Sequence, residues 1–377
     1  MTKLIKTFFA SEIAVGICLL LATAAALLIC NSPQIAIYEE FFATEFFYHL
    51  NFREFVNDCL MAFFFLLVGL ELKKEMLIGE LSSAKKFSLP FITACGGVIA
   101  PILIYYFFNR DFTQNLRGFA IPCATDIAFA YGIIALFGKQ ISLPLKVFVV
   151  ALAVIDDLMA ILIIVIFYSA KLDSTYLYLS GALLAVLALM NSFSIKRIFP
   201  YLLVGLPLWF CVWHSGIHAS IAGFLLSLFV PLRMEGESPL VRLARSIAPM
   251  VNFFILPLFA FANAGVHIQN FSAESLNQPV VLGIALGLFF GKQIGVMLFG
   301  VLAVKFKIAV LPSGANWMEF YKASIFTAIG FTMSLFIASL AFADYLLLFN
   351  EAKIGILLGS FAAMLFAAMV IFIFRKK

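Results

Sequence analysis

The feature that most constrains this chain is the stretch 145–168, LKVFVVALAVIDDLMAILIIVIFY, which is apolar except for Lys146 and the neighbouring carboxylates Asp156 and Asp157. At about 1.5 Å per residue a helix of this run crosses the roughly 30 Å of a bilayer's hydrocarbon, with the two aspartates near its midpoint. An ionised side chain there costs about 2.5–3.5 kcal/mol on insertion scales, so two in succession demand a compensating cation, a proton or a water-filled cavity. Successive residues on a helix point about 100° apart, so the two carboxylates serve different partners.

The rest of the chain keeps this character. With 64% hydrophobic residues, 12% charged residues and a mean hydropathy of +1.09, it lies far from soluble domains and implies no nucleic-acid partner. It reads as an all-α integral membrane protein whose constant neighbour is the lipid bilayer. Apolar runs at about 13–30, 55–78, 88–108, 119–138, 144–169, 175–192, 198–213, 217–231, 248–266, 280–304, 322–343 and 352–374 predict twelve transmembrane helices in one transporter domain, 1–377. The first run lacks a small-residue cleavage pattern before Asn31 and reads as a retained helix. The six Cys show no metal-ligand spacing and read as reduced packing residues. Twelve spans put both termini on one side. If that side is cytoplasmic, only Arg53, Arg110, Arg117, Lys171 and Lys353 fall outside, Lys292 stays within a span, and every other Lys and Arg falls inside, as the positive-inside rule requires.

Two spans look interrupted. Span 4, FAIPCATDIAFAYGIIALF, carries Pro122 and then Thr125 and Asp126 near its middle, and span 11, SIFTAIGFTMSLFIASLAF, carries Gly330, Thr332 and Ser334. Broken membrane helices free backbone groups that only protein or water can satisfy, so such breaks mark ion sites. They fall in corresponding places of spans 3–5 and 10–12, which suggests inverted-topology repeats at approximately 88–169 and 280–374, with spans 4 and 11 discontinuous and crossing at the midplane.

Span 10 adds a buried charge. Gly283, Gly287, Gly291 and Gly295 recur every four residues and make a smooth face for another backbone, and Lys292 stands among them too deep to snorkel, so its natural partner is a midplane carboxylate. In span 2, Asp58 and Glu71 bracket an apolar core shorter than the bilayer's hydrocarbon. With Glu75 and Glu80 they line an acidic, cation-attracting entrance, or else Glu71 and Glu75 pair with Lys73 and Lys74 at the surface; both readings stand for Glu71.

The midplane inventory is thus Asp126, Asp156, Asp157 and Lys292, with hydroxyl and carbonyl oxygens at two breaks. Oxygen donors suit a hard cation, and carboxylates that hold a proton until the cation arrives make the two ions compete for one site. Competition at a site of alternating access is exchange.

The stretches NDCLMAFFFLLVGLELKKE, ATDIAFAYG, ALAVIDDLMAI, SGIHASIAG, LPLFAFANAG, GKQIG and IGFTMSLFIASLAF, spread over nearly the whole chain, resemble the NhaA sodium/proton antiporters. That family is itself a standard case of inverted-repeat architecture, so the repeats and the resemblance are not independent. The resemblance implies a bacterial inner-membrane protein, not an enzyme and without a cofactor, that exports Na⁺ or Li⁺ electrogenically in exchange for a greater number of H⁺. It implies that Asp157 is the main cation ligand, that Asp156 also binds a proton and is linked to Lys292, and that Thr125 and Asp126 belong to the broken span 4, where the aspartate neutralises facing helix ends. Asp58 and Glu71 match residues that affect access and pH response. His218 occupies the family's SG-x-H position, with a sensing role and a structural one both open. Where some relatives carry a Glu and a His linked to pH sensing, this chain reads VRLARSIAPM, with Arg242 and Arg245. A homodimer through the segment 31–58 is implied too, although that segment is shorter than the relatives' hairpin.

Two other classes remain to be set against this. An intramembrane aspartyl protease would use two buried aspartates as an acid/base pair, but it resembles its relatives in YD and G-x-G-D motifs, whereas here the aspartates stand in ATD and IDD beside a buried lysine. A sodium-coupled organic-solute symporter of similar crossed-helix architecture would need a larger polar pocket beside the crossing.

Overall fold

The computed structural model describes residues 12–47, 50–79, 81–136, 141–169, 172–193, 195–232, 238–267 and 273–374. Glu80, Lys171 and both chain ends, on which part of the charge reading rests, lie outside the described residues. In chain order the elements are α1 (Glu12–Cys30), α2 (Ile35–Ala43), the strands β1 (Glu45–Phe47) and β2 (Leu50–Asn51), α3 (Phe52–Ile78), α4 (Ala84–Asn109), a 3-10 segment (Asn115–Cys123), α5 (Ile127–Leu136), α6 (Leu143–Phe167), α7 (Ser174–Ser192), α8 (Phe199–His214), α9 (Ile221–Phe229), α10 (Pro239–Asn263), a single turn (Ala273–Leu276), α11 (Pro279–Lys305), α12 (Trp317–Phe326), α13 (Phe331–Ala341) and α14 (Leu346–Ile373). Wider π turns interrupt α3 at Phe55–Leu60, α10 at Val251–Ile255 and α11 at Gly287–Gly291.

Among the described residues, nine helices are long and apolar enough to cross a membrane, ten if the pair α12 and α13, bent by 48°, is one span. The protein is therefore a multi-pass membrane protein. The expected span at 198–213 corresponds to α8, of the same 16 residues' length, and that at 217–231 to the shorter α9 of 9. Between them Gly216 takes a left-handed φ of 87°, which a helix cannot continue through.

The chain divides into two compact units. The first holds the described residues of 1–33, 80–160 and 263–377. Here the glycines of α11 meet α4 at backbone distance: a Cβ on Gly295 would lie 2.0 Å from the Gly96 carbonyl oxygen, and one on Gly291 would lie 2.7 Å from Pro101 Cα. Small residues let two membrane helices approach this closely and gain dispersion contacts over their length. Lys292 rides on the same contact, its Cδ 3.6 Å from where a Cβ on Gly97 would stand. Ser83 caps α4 by accepting from the Lys86 amide, and Asn316 with Glu319 forms a reciprocal capping box at the start of α12.

The second unit holds the described residues of 34–79 and 161–262. Its core gathers Leu66 and Leu70 of α3, Leu208 of α8, Leu226 of α9 and Leu240 of α10. The contact of α3 with α9 is again backbone-close, since a Cβ on Gly223 would lie 1.9 Å from the Ala62 carbonyl oxygen. Lys73 Nζ donates to the carbonyls of Leu228 (2.6 Å) and Val230 (2.7 Å), placing positive charge where α9 leaves its last acceptors exposed. The segment 31–58 carries the short antiparallel hairpin β1–β2, pairing Glu45 with Asn51.

The close packing of α4 on α11 makes a testable claim. Gly295→Val should lower the melting temperature of the detergent-purified protein sharply, because the added atoms overlap the Gly96 backbone, which cannot move aside as a side chain would. Gly181→Ala in α7, with nothing within 4 Å of the added Cβ, should leave it unchanged or slightly raised. A thermal unfolding scan that ranked the two variants alike would refute the packing argument.

Candidate ion-binding site

The site is built where the two breaks touch. Span 4 runs as the 3-10 segment up to Cys123 and resumes as α5 at Ile127, leaving Ala124, Thr125 and Asp126 non-helical; span 11 breaks between Phe326 and Phe331. The Asp126 amide donates to the Ile329 carbonyl at 2.8 Å, so each break supplies a backbone partner to the other. The Asp126 side chain then serves two helix starts at once. Its Oδ1 accepts from the Phe129 amide of α5 (2.9 Å), and its Oδ2 accepts from the Thr332 amide of α13 (2.9 Å) and from the Thr332 hydroxyl. A carboxylate placed at two helix N-termini meets both unsatisfied amides and the positive ends of both dipoles, which makes its burial tolerable at 2% exposure. Ser360 of α14 takes the Phe331 amide at 3.3 Å, and Ser334 donates to the Ile121 carbonyl at 2.8 Å.

Next to this knot stands the second carboxylate. Asp156 Oδ2 accepts from Lys292 Nζ at 2.5 Å and from Thr125 Oγ1 at 2.7 Å, while Asp156 Oδ1 has no hydrogen-bond partner among the described residues. Thr125 Oγ1 also lies 2.8 Å from the Thr327 carbonyl oxygen. A hydroxyl carries one proton, so it satisfies either Asp156 or Thr327 at a given moment. Asp156 is 1% exposed and Lys292 0%, so the pair is an ion pair fully inside the protein, where removing one member strands the charge of the other. Asp157, also 1% exposed, follows on the same turn of α6 and points about 100° further round the axis. The donors in contact here are the Asp156 carboxylate, a hydroxyl and a backbone carbonyl, with the Asp157 carboxylate the next residue on α6, all hard oxygens. Among the described residues no group of three or more His, Cys, Asp or Glu gathers.

The structure therefore joins Thr125, Asp156 and Lys292 directly, with Asp157 next to Asp156 on α6 and Asp126 in the adjoining break, all in the first unit. Asp58, Glu71 and His218 belong to the second. There His218 Nε2 lies 3.0 Å from Asp58 Oδ1, and His218 Nδ1 lies 2.6 Å from Ser220 Oγ. Asp58 sits in the π turn of α3, and its carbonyl accepts from Trp209 Nε1 at 3.3 Å. Glu71 is exposed towards the end of α3 and is not joined to this pair. Sequence reading passed over Thr327, Ser360, Ser220 and Trp209. Their only signal was polarity inside apolar surroundings, as in LLGSFAAM around Ser360.

The double cap predicts an order of stabilities. Asp126→Ala leaves two buried amides and a hydroxyl without their acceptor, at a cost of at least about 3 kcal/mol, whereas Thr332→Val removes one hydroxyl bond and costs about 1–2 kcal/mol. Thermal unfolding of the two variants in one detergent should show Asp126→Ala well below Thr332→Val; the reverse order would mean that the cap does not hold the breaks.

Comparison with known proteins leads to the same place. The model of the family described as Na+/H+ antiporter 1 matches residues 6–371. The Na(+)/H(+) antiporter NhaA of Pelagibacter ubique is 45% identical, with 100% of this chain and 99% of the relative covered. The NhaA of Shewanella amazonensis is 46% identical over 100% of this chain and 98% of its own, and NhaA 1 of Pseudomonas syringae 47% identical over 95% and 92%. With a family match over almost its full length and relatives of this similarity, the chain belongs to the Na+/H+ antiporter 1 family.

Proposed function

We propose that this protein exchanges Na⁺ or Li⁺ for H⁺ across a bacterial inner membrane, electrogenically and by alternating access, with cation and proton competing for Asp156 and Asp157. The observation that carries the reading is buried Asp156 held by Lys292 and Thr125, one residue from a second buried carboxylate. Without the cation, the charge in this interior is balanced by the lysine and by protons. A Na⁺ ion seated by Asp157, with Asp156 and oxygens of the breaks alongside, supplies positive charge of its own, so protons must leave as it enters. Each proton displaced makes the apparent Na⁺ affinity fall by up to about tenfold per unit drop in pH. If more than one proton is displaced per Na⁺, the cycle moves net charge and the membrane potential helps drive export.

Within this reading Asp126 and Lys292 keep the site neutral, and Asp58, His218 and Glu71 govern access and the response to pH. The twelve-span topology with both termini cytoplasmic belongs to the same proposal, with the shorter α8 and α9 as two of the crossings, and so does a homodimer meeting at the β1–β2 hairpin.

The decisive substitution is Asp157→Asn, which preserves size and one oxygen but removes the charge and the exchangeable proton. In everted vesicles carrying an imposed pH gradient, Na⁺ and Li⁺ should dissipate the gradient with the unsubstituted protein and leave it at background with Asp157→Asn, at equal amounts of folded protein. A cell lacking other sodium exporters should then fail to grow in high salt. Near-normal exchange by a well-folded Asp157→Asn protein would end the competition mechanism. Loss of the gradient only when an organic solute accompanies Na⁺ would replace antiport by symport.

A further inference from the structure

Away from the ion site, the first unit contains a cavity of about 500 Å³ between the first turns of α4 and α6, closed on its third side by the segment 310–313. Its floor is formed by Leu89 of α4 and Phe148 and Ala151 of α6, all buried. At its rim stand Lys86 together with Leu143 and Val310, which are 71% and 73% exposed. Among the described residues that line it none is acidic, and Lys86 is the one basic residue. The mechanism makes no use of this space. It lacks a carboxylate to hold Na⁺, and its rim charge repels cations.

Its chemistry is that of an amphiphile's socket. The apolar floor excludes a polar solute, and the volume lies in the range of a small-molecule site, about 300–1,000 Å³. Lys86 lies in the first turn of α4, behind the Ser83 cap, so an anion at the rim meets an ammonium and the positive end of a helix dipole together. Both α4 and α6 are long enough to span a bilayer and the cavity opens at their starts, the depth at which headgroups lie. Exposed Leu143 and Val310 flank the opening and give an acyl chain an apolar edge to pass on its way in.

We propose that this cavity seats one anionic phospholipid of the surrounding bilayer, with its phosphate at Lys86 and the end of one acyl chain on Leu89, Phe148 and Ala151. Charge complementarity selects the anionic headgroup, and the apolar floor selects a chain.

The test uses the full-length protein in zwitterionic nanodiscs, doped with phosphatidylglycerol carrying a photoactivatable diazirine at the end of one acyl chain, or with phosphatidylcholine carrying the same chain. Crosslinks should map to peptides holding Leu89, Phe148 or Ala151, with phosphatidylglycerol favoured. Lys86→Gln should weaken that preference about fivefold, the weight of one basic residue near an anionic surface. Val147→Trp, which fills the slot, should remove these crosslinks for both lipids. Equal labelling by the two lipids, crosslinks confined to other surfaces, or a preference that survives Lys86→Gln would overturn the proposal. So would inorganic phosphate that abolishes the preference at millimolar concentration, since the rim would then be a free-anion site. Lys86→Gln changes an exposed side chain, so the outcome does not depend on Val147→Trp folding.

Discussion

The carboxylate of Asp126 holds together two helices that are broken in the middle of a membrane protein. A break in an apolar interior leaves amides and carbonyls that cannot turn to water, and each unsatisfied one costs on the order of 1–3 kcal/mol. Asp126 meets the amides of α5 and α13 with its two oxygens, and its own amide closes on Ile329. Once the breaks are held, the Thr327 carbonyl and the Thr125 hydroxyl are fixed beside Asp156, and the candidate site follows from the knot.

The second requirement is a cation to match the buried acids. Lys292 supplies it only because α11 lies against α4 at a distance that glycine alone permits. A bulkier α11 would move the ammonium away from Asp156, and a 2.5 Å contact between groups of 1% exposure or less has no slack for that. The same backbone-to-backbone contact recurs between α3 and α9 in the second unit, where Gly223 lies on Ala62. Smooth helix faces are thus the means by which polar groups are positioned in a chain with little polar surface.

Much of this was legible before any coordinates. The depth of Asp156 and Asp157 in their run, the pairing of Lys292 with some midplane carboxylate and the positions of both breaks all follow from lengths and from the cost of buried charge. Azimuth did not follow. Hydropathy gives depth along a helix but not which way a residue faces when every face is apolar, so the choice of Asp156 over Asp126 or Asp157 for Lys292 rested on the family resemblance alone, and the ion pair agrees with it. Contacts between distant segments were equally silent, as with His218 on Asp58, or Ser360 capping a helix start 29 residues before it. The expected spans at 198–213 and 217–231 were read from apolar content; α8 matches the first in length, whereas α9 begins only after the turn that includes Gly216 and is shorter than the second.

The account's central claim is that cation and proton exclude one another at the aspartates. Isothermal titration of Na⁺ into purified protein, repeated in two buffers of different ionisation enthalpy, measures protons released per ion bound. The account predicts release of at least about one proton per Na⁺ or Li⁺, none on adding choline, and an apparent affinity that weakens as pH falls. Na⁺ binding with the same heat in both buffers and the same affinity across pH would contradict it.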